Sequence, residues 1–153
     1  MHRVALTPPA VRAIAAHASS AFPEEGCGLL IGAVDADGTA SVGRIVRCRN
    51  EAPARERPRR FVIDPRAVIR ARALADGTVL GFYHSHPDGT STPSRLDVAH
   101  MRLWPGTVWL IVAAEEGGSA ASRCWYLDSC DDLTPRELEL VGLPRHTPLP
   151  AMA

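Results

Sequence analysis

The sequence predicts an α/β (α+β) fold, a mixed sheet flanked by helices, on three observations. Residues 27–34 and 108–114 are continuous apolar runs of strand length, the pattern of strands buried on both faces. Three other stretches carry helix starts, at Thr7-Pro8-Pro9, Asp64-Pro65 and Ser94. The two kinds of segment alternate as helix, hairpin, strand, helix, strand, helix, hairpin, the order of a sheet covered by helices. Residues 1–128 are expected to form the domain, with 129–153 packed on it or trailing from it.

Met1-His2-Arg3 leads directly into the first helix. Thr7 supplies an N-cap, and prolines stand where no N–H is needed. Val11, Ile14, Ala15 and Ala18 then recur at helical spacing, until Phe22-Pro23 ends the helix. A strand over 27–34, an Asp37-Gly38 turn and a strand over 42–48 make a hairpin. Residues 51–60, rich in Pro, Arg and Glu, form a solvated loop. Arg47, Arg49, Arg55, Arg57 and Arg59 lie in or beside it, either as solubilising charge or as a contact for an acidic partner. Residues 61–63 are a short strand, and Asp76-Gly77 closes the second helix. A strand over 79–85, a loop over 87–93, a helix from Ser94 to about 103 and a strand over 108–114 follow. A turn at Glu116-Gly117-Gly118 leads to a strand over 123–127. Beyond Asp128 two patterns compete, a helix start at Thr134-Pro135 and strand-like alternation over 137–140. The last eleven residues form a frayed or draped tail.

Composition narrows the function. The chain has 17 basic and 17 acidic residues and a pI near 7.0, so no long-range field favours nucleic acid or an anionic membrane surface. No apolar run approaches the ~20 residues that span a bilayer, and no signal-peptide core follows Met1. A cytoplasmic protein is expected. The four cysteines include no C-x-x-C pair, against a zinc ribbon or a thioredoxin-like site. Cys27, in the run CGLLIG, is expected to be a buried thiol.

Chemistry concentrates in GFYHSHPDGTSTPSRLD, residues 81–97. In a strand, His84 and His86 share one face with Cα atoms roughly 6.5–7 Å apart, so both imidazoles can reach one ion. Asp97 adds a carboxylate after the loop. Two imidazoles, one carboxylate and an open fourth position make a catalytic zinc site. Hydrolysis at such a site also needs a proton shuttle, for which Glu24 and Glu25 are the candidates beside an apolar strand. Ser94 has two readings, an N-cap in an S-x-x-D capping box or a hydroxyl donating to an oxyanion. The readings compete for Asp97, and the cap is the stronger of the two on the residues alone.

Glu25-Gly26-Cys27-Gly28, His84-Ser85-His86-Pro87 and Pro93-Ser94-x-x-Asp97, in this order, resemble the motif of the JAMM (MPN+, JAB-domain) zinc metalloproteases. The similarity runs from the first helix to about Leu127 and is greatest to the short, stand-alone bacterial members. It implies a curved mixed sheet similar to that of cytidine deaminases. It also implies zinc (Zn2+) held by His84, His86 and Asp97, Glu25 rather than Glu24 as general acid/base, and Ser94 as oxyanion donor. Family enzymes cleave amide or isopeptide bonds after the Gly-Gly tail of ubiquitin-like proteins. The expected partner is therefore a ubiquitin-like sulfur-carrier protein, from which some bacterial relatives remove a C-terminal cysteine. Two alternatives stand beside this. A zinc-stabilised binding module fits poorly with an intact Glu25, and for a zinc hydrolase of small amides, such as a deaminase, no P-C-x-x-C ligand pair is present. A nucleophilic Cys27 is weaker still, given its apolar flank.

Overall fold

A computed structural model describes residues 1–74 and 78–142. Seven strands and three helices run in the order β1 (Arg3–Leu6), α1 (Pro8–Ala21), β2 (Cys27–Val34), β3 (Thr39–Cys48), α2 (Pro65–Leu74), β4 (Thr78–His86), α3 (Arg95–Leu103), β5 (Val108–Glu115), β6 (Gly118–Tyr126) and β7 (Arg136–Val141). The strands lie side by side as β1-β3-β2-β4-β5-β6-β7, and β7 returns to β1 to close a barrel. The sheet is mixed as expected: β1 runs parallel to β3 and β7, β4 runs parallel to β5, and the other pairs are antiparallel. The curvature goes as far as closure.

Alternation along the strands builds two cores. One face of the sheet wraps α1, where Ala10, Ile14 and Ala18 meet Leu30, Tyr83, Leu110 and Leu138. The other face carries Leu29, Ile31, Phe82 and Trp109 against Val68 of α2 and Met101 of α3. On β4 the period of two places Tyr83 in the first core and Phe82 in the second. His84 therefore falls on the α2/α3 side.

Helix α1 starts as expected, with the Thr7 hydroxyl accepting from Ala10 N and prolines in the first turn. Asp64 Oδ1 accepts from Arg66 N at the start of α2. The expected strand over 27–34 and helix after Ser94 appear with the expected limits.

Three expectations are corrected. The chain does not run straight into α1: Arg3–Leu6 form β1, too short to show a period, but held between β3 and β7 with Val4 and Leu6 buried. Residues 136–141 are a strand, so alternation prevails over the helix start, with Leu138 turned into the core. Residues 61–63 are not a strand. Their backbone is claimed by a side chain instead, Val62 N donating to Asn50 Oδ1, while Val62 O accepts from Glu51 N. The expected stop at Asp76-Gly77 and the expected tail over 143–153 lie outside the described residues. No helix among those described is long and apolar enough to cross a membrane.

Candidate metal centre

His84 and His86 close β4, the strand between β2 and β5. Asp97 arrives from α3, where it occupies the third helical position. The Ser94 hydroxyl accepts from Asp97 N at 3.0 Å, and Asp97 Oδ2 accepts from Ser94 N at 2.8 Å, which completes a capping box. The same carboxylate faces the histidines, Oδ2 at 3.0 Å from His86 Nε2 and Oδ1 at 3.2 Å from His84 Nε2. The expected competition for Asp97 therefore does not arise. The cap is what aims the carboxylate, because Oδ2 meets both Ser94 N and His86 and leaves Oδ1 to face His84.

Glu25 enters from the residues just before β2. Its Oε1 lies 3.6 Å from His86 Nε2, and its Oε2 is buried without a protein partner. Glu25 is buried whereas Glu24 is only half-buried, so it is Glu25 that faces the histidines. Four hydrogen bonds to its own and the next residue's backbone hold it. Its N–H donates to Arg57 O at 2.8 Å, and its carbonyl accepts from Asn50 Nδ2 at 3.1 Å. The next peptide is clamped to β4, with Gly26 N donating to Ser85 Oγ and Ser85 N donating to Gly26 O.

Asn50 is a hub that the sequence did not reveal. Besides Glu25 O, its Nδ2 donates to Arg60 O at 2.9 Å, and its Oδ1 accepts from Ala52 N and Val62 N. The arginine-rich stretch expected to be a solvated loop is thus tied at both ends to the residue carrying Glu25. An asparagine after a strand, before a Pro-rich turn, was the available signal.

The electrostatics divide the two carboxylates. Burial pushes Glu25 up to about 8, with Asp97 and Asp88 adding to this and His86 opposing it. Burial also works against an ionised Asp97, but the two histidines and Ser94 N outweigh it and hold Asp97 far below the usual carboxylate range. Burial lowers His84, whose ring stacks on Phe61 with centroids 4.5 Å apart. For His86 burial is outweighed by Asp97, and the pKa rises. Cys27, in contrast, is raised by burial to about 12, which leaves a neutral thiol and no nucleophile.

These groups fit a divalent ion. The Nε2 atoms of His84 and His86 stand 3.0 Å apart, and a tetrahedral ion with bonds of about 2.0–2.1 Å separates its ligands by roughly 3.3 Å. Glu25, His84 and His86 present ligand atoms within 4.8 Å of one another, and Asp97 lies nearer still to both imidazoles. Nitrogen and carboxylate donors of this kind suit zinc.

Known proteins are similar to this chain. The family described as prokaryotic homologs of the JAB domain matches residues 7–128. The tail tip assembly protein K of Escherichia phage N15 is 36% identical over 109 residues, covering 70% of this chain and 40% of that protein. The desampylase of Haloferax volcanii is 30% identical over 116 residues, 73% of this chain and 77% of that one. A Lys-63-specific deubiquitinase of Xenopus laevis is 31% identical over 147 residues, 85% of this chain and 55% of that one. The chain thus spans well under two thirds of the phage protein and of the deubiquitinase. The solution structure of a Desulfitobacterium hafniense protein superposes with a TM-score of 0.70 at 30% identity, covering 90% of this chain and 91% of that one.

Proposed function

The chain belongs to the JAB-domain (JAMM/MPN+) family, and from that premise we propose that it is a zinc-dependent metallopeptidase acting on ubiquitin-like sulfur-carrier proteins. The bond cleaved is the amide or isopeptide bond after the carrier's C-terminal Gly-Gly, in one form releasing cysteine. The observation that carries this reading is the convergence of four buried groups, His84, His86, Asp97 and Glu25, on one point.

The two carboxylates take different roles because their environments differ. Asp97, held ionised, joins His84 and His86 as a ligand. Glu25, raised to about 8, can both take and hold a proton near neutral pH, as a general acid/base must. A zinc ion held by His84, His86 and Asp97 would supply Lewis acidity and acidify a nearby water. Glu25 accepts the proton of the attacking water and returns it to the leaving nitrogen. The Ser94 hydroxyl accepts from Asp97 N with a lone pair, which leaves its O–H to donate to the oxyanion.

The names of two relatives, a desampylase and a deubiquitinase, support a ubiquitin-like substrate, and the shape of a Gly-Gly tail fits it. Without side chains, such a tail can lie extended in a narrow groove. The test is mass spectrometry of extended carrier proteins from the same genome after incubation with zinc-loaded enzyme. Shortening to the Gly-Gly terminus is expected. If every carrier stays intact while a small amide is cleaved efficiently, the substrate class is wrong and the small-molecule hydrolase reading replaces it.

A further inference from the structure

His84 and His86 are supported differently. The Nδ1 of His84 is buried without a protein partner behind the Phe61 ring. The Nδ1 of His86 lies 3.1 Å from Thr90 Oγ1, and Thr90 Oγ1 lies 2.8 Å from Asp88 Oδ1. The direction of this chain can be deduced from its far end. A carboxylate only accepts, so the single hydroxyl proton of Thr90 goes to Asp88. Thr90 can then only accept from His86, and the proton it accepts must sit on Nδ1.

That placement bears on the other nitrogen. A neutral imidazole protonated at Nδ1 carries its lone pair on Nε2, the atom facing His84 Nε2 and Asp97. Asp97 Oδ2, 3.0 Å away, pulls the other way, because in the absence of an ion it favours a proton on Nε2. The Thr90–Asp88 pair opposes that pull. The local backbone holds Thr90 where it can do so. Gly89 at φ +81° turns the chain, Asp88 Oδ1 also accepts from Thr90 N at 3.0 Å, and Trp125 Nε1 holds Ser91 O from β6 at 2.9 Å.

We propose that Thr90 and Asp88 form a relay that positions the metal ligand His86, holding its proton on Nδ1 and so keeping Nε2 free to bind an ion. The relay rests on the metal reading above. Outer partners of this kind are typically worth 10–100-fold in metal affinity. Thr90 is exposed, so water can take the place of a lost hydroxyl, and the lower end of that range is expected here.

The experiment compares the full chain with Thr90→Val, Thr90→Ser and Asp88→Ala. Zinc affinity is measured by competition with a chelator, and the His86 Nδ1–H resonance is followed by NMR with and without zinc. Thr90→Val should bind zinc about 10-fold more weakly and lose the hydrogen-bonded Nδ1–H signal, whereas Thr90→Ser should keep both. Asp88→Ala leaves Thr90 in place and should also weaken zinc, which covers the case of a Thr90→Val protein that does not fold. Zinc affinities within twofold of the starting protein in both Thr90→Val and Asp88→Ala, or an Nδ1–H signal unchanged by Thr90→Val, would overturn the relay. A starting protein that takes up no zinc would sink the metal reading instead, and the Nδ1–H signal would still report on the relay.

Discussion

Glu25→Gln is expected to make the metal-free protein more stable at alkaline pH while abolishing most of its activity. The folded protein holds the Glu25 proton up to about pH 8, whereas an unfolded chain releases it near 4.5. Below 4.5 both states are protonated and the site costs nothing. Between 4.5 and 8 the folded state binds more protons, so stability falls as pH rises, and above 8 the full cost is present. Each tenfold difference in proton affinity is about 1.4 kcal/mol, which puts the limit near 5 kcal/mol. Glu25 titrates against His86, 3.6 Å away, and that coupling sets the expected change at roughly 2–5 kcal/mol. Glutamine has no such titration. The assay is urea denaturation of both proteins in chelator at pH 5 and pH 9, where titrating groups that do not interact with Glu25 cancel in the difference. The variant should gain on the wild type by that amount between the two pH values. With saturating zinc the gain should shrink, because the ion's charge favours the carboxylate. A difference flat to within about 0.5 kcal/mol would show that Glu25 is not held in the environment described. In the zinc-loaded enzyme the same variant should lose ~10²–10⁴-fold in turnover, while Glu24→Gln should be nearly silent.

Three further outcomes are expected. Protein purified without chelator should carry about one zinc per chain by elemental analysis, and stoichiometric zinc in a His84→Ala/His86→Ala double variant would refute the ligand set. Ser94→Ala should melt with a loss of ~1 kcal/mol, because the capping box is broken, and should also lose ~10²–10³-fold in turnover; intact activity would leave Ser94 as a cap alone. Asn50→Ala strips partners from Glu25 O, Arg60 O, Ala52 N and Val62 N, which at ~1 kcal/mol each should destabilise by about 2–4 kcal/mol. It should retain zinc but lower turnover, and a variant with normal turnover would show that Glu25 needs no such anchor.

The parts of the molecule legible in the sequence are those fixed by local pattern. The period of two put His84 and His86 on one face, and the S-x-x-D box placed Asp97 at the start of a helix. Residues 27–34 announced a strand by apolar content alone. Strand β1 was hidden because its four residues show no period by themselves, whereas β7 showed its alternation beside a rival helix start and is fixed by closure, Val4 lying opposite Leu140. Asn50 gave only a weak turn signal. Its partners are main-chain atoms up to 25 residues away, which no side-chain motif encodes. Thr90 sat in plain view in an Asp-Gly turn, but only the folded distance to Nδ1 gives it a part to play.

The division of labour around Asn50 has a consequence for how this chain can diversify. The three ligand candidates come from one contiguous stretch, 84–97, with Phe61 stacked on His84 and Trp125 holding the loop between them. Glu25 comes from the far side of β2 and is held by residues 50–62 and by β4. The ligand candidates and the candidate proton shuttle therefore stand on separate segments. A change at Asn50 or Arg57 would disturb the seat of Glu25 while leaving residues 84–97 in place. A descendant that kept 84–97 but lost the anchor would be a metal-holding scaffold, free to take up work other than hydrolysis.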